Sequence, residues 1–103
     1  MRRKIVKKEV SDNVSKDEVD LIEMGKFYFL NGKYEEAISE FEKALKINPK
    51  NEDIYFNMGI VKEANNDRGA ARKMYEKTLI LQPDHKSAKE HLDKLVGIRK
   101  GRK

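Results

Sequence analysis

At 103 residues, with 40% charged and 38% apolar residues, the chain has room for one small domain, and its composition suits a thin, largely solvated helical array better than a thick sheet core. It contains no cysteine, which excludes disulfides, thiolate metal sites and cysteine nucleophiles. The net charge of +5 is placed at the ends: residues 1–8 carry +5 and 99–103 carry +4, leaving 9–98 at −4, and charge on two short ends is not the shaped basic groove of a nucleic-acid binder.

Residues 1–14 mix Arg2, Arg3, Lys4, Lys7 and Lys8 with Ile5, Val6, Val10 and Val14, and read as a basic N-terminal arm, either disordered or docked on the body. No long apolar run follows the basic residues, so the start does not read as a signal peptide. No stretch approaches the roughly 18 apolar residues of a membrane span. A cytoplasmic location is expected.

Ser15 followed by Glu18 has the spacing of a capping box, in which the hydroxyl takes a first-turn backbone N–H and the carboxylate reaches back. A helix is predicted from about Asp17 to Leu30, with Leu21, Met24, Phe27, Tyr28 and Leu30 at helical spacing. Asn31-Gly32 ends it, because glycine accepts the left-handed conformation at a helix C-terminus. A second helix runs from about Tyr34 or Glu35 to Ile47, with Ala37, Ile38, Phe41, Ala44, Leu45 and Ile47 on its apolar face, and stops before Pro49. A third, about Glu52 to Ala64, uses Ile54, Tyr55, Met58 and Val61, and Asn65-Asn66-Asp67 forms the next turn. A fourth, about Arg68 to Leu81, turns Ala71, Met74, Tyr75 and Leu79 inward and is closed by Pro83. A fifth, about His85 to Ile98, shows Ala88, Leu92, Leu95 and Val96, and 99–103 form a basic tail.

A shift of 34 positions relates two parts of this chain. Laying 18–51 over 52–85 gives nine identities, among them Met24-Gly25 with Met58-Gly59, Ala37 with Ala71, and Pro49 with Pro83. Phe41 falls on Tyr75. A period of this length marks a duplicated structural unit whose faces are buried by stacking on its neighbour.

The run Leu21-x2-Met24-Gly25-x2-Tyr28, then Ala37-x3-Phe41, then Pro49, echoed by Tyr55-x2-Met58-Gly59, Ala71-x3-Tyr75 and Pro83, resembles the tetratricopeptide repeat family. The resemblance covers 18–85. It implies an all-α fold of antiparallel helix–turn–helix repeats in a short right-handed α-solenoid of five helices: one repeat over 18–51, a second over 52–85 and a capping helix over 86–98. The small residues Gly25, Gly59, Ala37 and Ala71 sit where paired helices approach closely, and Phe41 and Tyr75 are expected to fill the gap between neighbouring helix pairs. The chain departs from the family pattern at Leu21, where a large aromatic is usual, at Lys62 in the second Tyr position, at Thr78 where Ala44 stands in the first unit, and at Asp93 where a third glycine would fall.

Enzymatic chemistry finds little support. His85 and His91 are six residues apart, which puts them on different faces of a helix, and no acidic pair completes a metal set; they read as solvated surface histidines. The serines lack a nucleophile elbow, and there is no glycine-rich phosphate loop. Neither cofactor nor metal nor catalytic residue is expected.

In the geometry the resemblance implies, the first helix of each unit lines a concave groove. The groove positions are then Val19, Ile22, Lys26 and Phe29 in the first unit, Asp53, Phe56, Asn57, Ile60 and Glu63 in the second, and Ser87, Glu90 and Lys94 in the capping helix. Ile22, Phe29, Phe56 and Ile60 make an apolar floor with a mixed-charge rim, which suits a peptide or helix of a partner protein. Family members that grip a terminal carboxylate use five polar residues, of which only Asn57 is matched; Ile22, Lys26, Glu90 and Lys94 occupy the other positions. The expected function is a non-enzymatic protein-interaction module. The alternatives are that the chain's own arm, with Ile5, Val6, Val10 and Val14, or a second copy covers this floor; self-association as a dimer or helix-exchanged unit, since two repeats are fewer than the three usual for a stable continuous core; and a nucleic-acid accessory role for the basic tails, which would show as a steep salt dependence.

Overall fold

A computed structural model describes residues 16–97. The expectations for the 1–14 arm, for Ser15 as a cap, for Ile98 and for the 99–103 tail lie outside the described residues. Within 16–97 the chain is all-α: α1 (Lys16–Leu30), α2 (Tyr34–Ile47), α3 (Glu52–Ala64), α4 (Arg68–Leu81) and α5 (Lys86–Leu95). Each helix packs on the next, and α1 also touches α3. The result is a helical-repeat solenoid: α1 pairs with α2, α3 with α4, and α5 closes on α4.

The ends of the helices follow from their local chemistry. After α1, Gly32 adopts φ 75°, the Lys33 N–H donates to the Tyr28 carbonyl at 2.8 Å and the Gly32 N–H to the Phe29 carbonyl at 3.0 Å. This is the paired closing pattern that satisfies orphan carbonyls at a helix end. After α3, Asn66 does the same work at φ 68°, with the Asp67 N–H donating to the Lys62 carbonyl at 2.8 Å and the Asn66 N–H to the Glu63 carbonyl at 3.0 Å. A residue with a Cβ pays strain there that glycine does not. Asn66→Gly is therefore expected to stabilise the domain by a few tenths to about 1 kcal/mol, read as a rise in the urea midpoint.

Three helices begin on a side-chain acceptor. Asn51 accepts from the Asp53 N–H at 2.9 Å, Asp67 from the Ala70 N–H at 3.2 Å, and His85 through Nδ1 from the Ala88 N–H at 3.0 Å. His85 is thus the cap of α5 rather than its first residue. The helix also ends sooner than its apolar pattern suggests, at Leu95, because Gly97 turns left-handed at φ 65°. Glu18, expected in a capping box, is buried. Its carboxylate accepts from the side-chain amides of Asn48 at 3.1 Å and Asn51 at 2.6 Å, tying the start of α1 to the turn that joins the two repeats.

The core runs along the stack. Ile22, Ala37, Phe41 and Ala44 of the first repeat form one cluster with Ile54, Met58 and Val61 of α3; Ala71, Tyr75, Thr78 and Ala88 are also fully buried. Thr78, which replaces the alanine of the first repeat, satisfies its buried hydroxyl by donating to the Met74 carbonyl at 2.9 Å. A Cβ built on Gly25 would lie 2.5 Å from the Phe41 ring, and one on Gly59 would lie 2.5 Å from the Tyr75 ring, so the glycines are the seats of the two aromatics.

The apolar face expected of α1 needs correction. Leu21 and Tyr28 pack against the core, as expected, but Met24, Phe27 and Leu30 are exposed. For Met24 and Phe27 the reason is positional: their register is that of Met58 and Val61, which α2 covers, and among the described residues no helix precedes α1; Leu30, like its equivalent Ala64, is exposed at the end of its helix.

Candidate binding groove

The first helices of the two repeats lie side by side, and α5 follows α4, so the predicted row crosses three elements. Its first section is a depression of about 250 Å³ between α1 and the start of α3, lined by Val19, Ile22, Glu23, Lys26, Asn51 and Asp53. Val19 is 44% exposed, whereas Ile22 is only 8% exposed and belongs to the core. The Lys26 ammonium stands 3.8 Å from the Glu23 carboxylate, a solvated pair of small energetic weight. This section therefore offers an apolar base with a cation and two carboxylates around it.

Phe29 is half-buried against the core and stacks on Tyr34 with ring centroids 5.8 Å apart. Ile60 is half-buried. The Asn57 amide donates to the Asp53 carbonyl one turn earlier in its own helix, at 2.8 Å. In α5, Ser87, Glu90 and Lys94 are exposed.

The second section is built differently from the sequence-level picture. Phe56 is at the centre of a ring cluster, 4.7 Å from His85, 5.8 Å from Tyr75 and 5.8 Å from His91. The buried Tyr75 hydroxyl donates to the Glu63 carboxylate at 2.7 Å. His91 Nδ1 lies 3.0 Å from the same Glu63 oxygen and 3.4 Å from the Tyr75 hydroxyl. Partial burial pushes the Glu63 carboxyl up, but the Tyr75 and His91 hydrogen bonds, with the charges of His91 and Lys94, outweigh it and hold the group below its ordinary value. Burial, the hydrogen bond to Glu63 and the Glu63 charge push the Tyr75 hydroxyl well up.

The reading of His85 and His91 as solvated surface residues is thereby corrected: both are half-buried against Phe56. Their separation on a helical wheel is no obstacle, since His85 lies outside the helix proper, as its cap. The repeat alignment carries a signal for this cluster. Phe29 and Phe41 of the first unit become Glu63 and Tyr75 of the second, and a buried Tyr hydroxyl needs a partner that a buried Phe does not. Among the described residues no group of three His, Asp or Glu side chains could hold a metal ion, and no helix is long and apolar enough to cross a membrane.

Comparison with known proteins agrees with the helical-repeat fold. A family model described as TPR repeat matches residues 25–66. The human protein O-mannosyl-transferase TMTC1 is 33% identical over 66 residues, which cover 64% of this chain and 8% of that protein's length. Among solved structures, the first TPR of Spaghetti (RPAP3), bound to the HSP90 peptide SRMEEVD, superposes with a TM-score of 0.75 at 23% identity, covering 81% of this chain and 68% of that one.

Proposed function

As the chain belongs to the tetratricopeptide repeat family, we propose that it is a non-enzymatic protein-interaction module that takes a peptide segment of a partner along the row formed by α1, α3 and α5. The observation that carries this reading is the depression between α1 and α3, where the exposed Val19, with the buried Ile22 beside it, offers apolar surface and Lys26, Glu23 and Asp53 offer charges of both signs. That combination suits an extended segment with an apolar anchor and flanking polar groups. The solved relative binds a peptide of HSP90, which supports a peptide ligand in kind. The TMTC1 likeness spans too little of that protein to bring its transferase activity here.

Glu63 and Phe56 serve the fold of this surface as much as its contacts. Phe56 supports Tyr75 and both histidines, so charging it would disturb the packing of α3 on α5. Val19 is the cleaner position, being 44% exposed. Peptides selected from a random display library against the wild-type domain are expected to lose at least about tenfold in affinity for Val19→Glu, the scale of about 1.4 kcal/mol. The circular dichroism spectrum should be unchanged. Glu76→Lys, on the outer face of α4, is the control and keeps binding. Peptides held equally by wild type and Val19→Glu would remove this section of the row from the binding surface.

A further inference from the structure

Two exposed helix faces, on α1 and on α4, are complementary to each other. On α1, Met24 and Phe27 are 44% and 57% exposed. With Asp20 and Glu23 they line a shallow trough of about 400 Å³. Each acid has a cation of its own helix nearby, Lys16 at 3.5 Å from Asp20 and Lys26 at 3.8 Å from Glu23. These pairs are solvated and of little energetic weight, so they exchange readily for other partners.

The face on α4 has the opposite charge. Arg72, Lys73 and Lys77 are exposed, and Ile80 beside them is 74% exposed. Arg72 pairs with Glu76 at 3.0 Å, and the Lys77 ammonium stands 5.8 Å from the centre of the Tyr55 ring. Lys73 has no ionic partner among the described residues. The two faces share one spacing. Phe27 follows Asp20 by seven residues, and Ile80 follows Lys73 by seven. Seven residues are two turns, about 10.5 Å, and return to nearly the same side of a helix. Laid parallel and face to face, the helices set Asp20 against Lys73 and Phe27 against Ile80. The flanks agree as well. Glu23 lies three residues beyond Asp20 and Lys77 four beyond Lys73, rotations of about 300° and 400° that turn to opposite sides of their own helices. Helices that face each other bring opposite rotations together, so Glu23 falls beside Lys77. By the same rule Glu76, already paired with Arg72, falls beside Met24.

We propose that the chain self-associates through these two faces, α1 of one copy docking in parallel on the outer side of α4 of the next. The occupant of the α1 trough is thus a second copy of this chain. Because the two faces differ, a copy that uses its α1 face still offers its α4 face, and the contact repeats in an open series instead of closing as a pair. The charges set partner and register more than strength. With Met24, Phe27 and Ile80 as its apolar content, the contact belongs to the weak class that buries less than about 1,200 Å², and it forms at high protein concentration.

Sedimentation of the full chain up to about 1 mM, the range of weak contacts, tests this. The weight-average mass of the wild type rises past that of a dimer, and returns to one chain on dilution or in about 1 M salt, where screening shortens to about 3 Å. A variant with Asp20→Lys and Glu23→Lys sets cation against cation. A second variant, with Lys73→Glu and Lys77→Glu, sets acid against acid. Each alone loses at least about tenfold in association constant. An equal mixture of the two regains it, since each reversed face meets its complement on the other variant; the regain also shows that both variants are folded. A wild type that stays at the mass of one chain overturns the proposal and leaves the α1 trough to a different occupant. A mass that stops at the dimer overturns it in favour of a closed pair. So does association that either variant keeps at the wild-type level, or a mixture that associates no better than its parts.

Discussion

Gly59→Ala is expected to destabilise the domain by about 2–3 kcal/mol, although alanine is the better helix former by about 1 kcal/mol in the abstract. The added Cβ would stand 2.5 Å from Tyr75 Cε1, 2.8 Å from Cδ1 and 3.0 Å from Cζ. The ring has nowhere to retreat. It is fully buried, its hydroxyl is tied to Glu63, and Phe56 and His91 lie against it. Relief must come from separating α3 from α4, which opens the repeat. Gly25→Ala meets the same obstacle in Phe41, at 2.5 Å from Cε1, but that ring has no hydroxyl tether, so a somewhat smaller cost is expected. The internal control is Gly69→Ala in α4. Nothing lies within 4 Å of a Cβ at that position, and the substitution should raise stability by about 0.5–1 kcal/mol through the helix preference alone. Urea unfolding of the three variants tests the account. If Gly59→Ala and Gly69→Ala shift the midpoint in the same direction, close approach is not why Gly59 is there. Against a total of about 5–15 kcal/mol for a small domain, the Gly59 variant should lose a large share of its folded population on warming.

The repeat made much of the fold legible. Gly25, Gly59, Phe41 and Tyr75 stand where small and large residues alternate between paired helices, and the five helices fall close to their expected spans. The parts that sequence did not convey are those set by neighbours across the stack. Periodicity places Met24 and Phe27 on an apolar face but says nothing about whether a helix exists to cover it. The same blindness affected the row on α1 and α3. Ile22 and Phe56 looked spare because they do not share the repeat's identities, yet Ile22 fills the core between the repeats and Phe56 carries three rings. Departure from the repeat marks a change of environment, and that change can be internal packing as readily as a ligand. The residues of the row left exposed are Val19, Asp53, Ser87, Glu90 and Lys94, with the half-buried Lys26 among them, and the search for a partner narrows to these.

Replacing Glu63 and Tyr75 together by phenylalanine should nearly restore the stability that each replacement removes alone. In the first repeat the equivalent positions are Phe29 and Phe41, and Phe29 packs against the core that contains Phe41; the apolar pair is thus a solution the fold already uses. Glu63→Phe alone leaves the buried Tyr75 hydroxyl with only the 3.4 Å approach of His91 Nδ1, and an under-satisfied buried polar group costs about 1–3 kcal/mol. Tyr75→Phe alone removes the 2.7 Å donor from Glu63. Since the carboxylate keeps some access to water, about 1 kcal/mol is expected there. In the double variant both polar groups are gone, and the coupling between the two sites should appear as a non-additive term of about 1–2 kcal/mol. Acid supplies a second signature. The Glu63 carboxyl is held below its ordinary value of 4.5, so its contribution is fully present above that pH and is lost as the pH falls through the lower value of the folded state. The wild type should therefore lose stability relative to the double variant below pH 4.5, while the difference between them stays flat from there to neutrality as far as this group is concerned. Additive single-variant costs, or an acid limb that survives in the Glu63→Phe variant unchanged, would show that the Tyr75–Glu63–His91 contact does not carry the link between α3, α4 and α5.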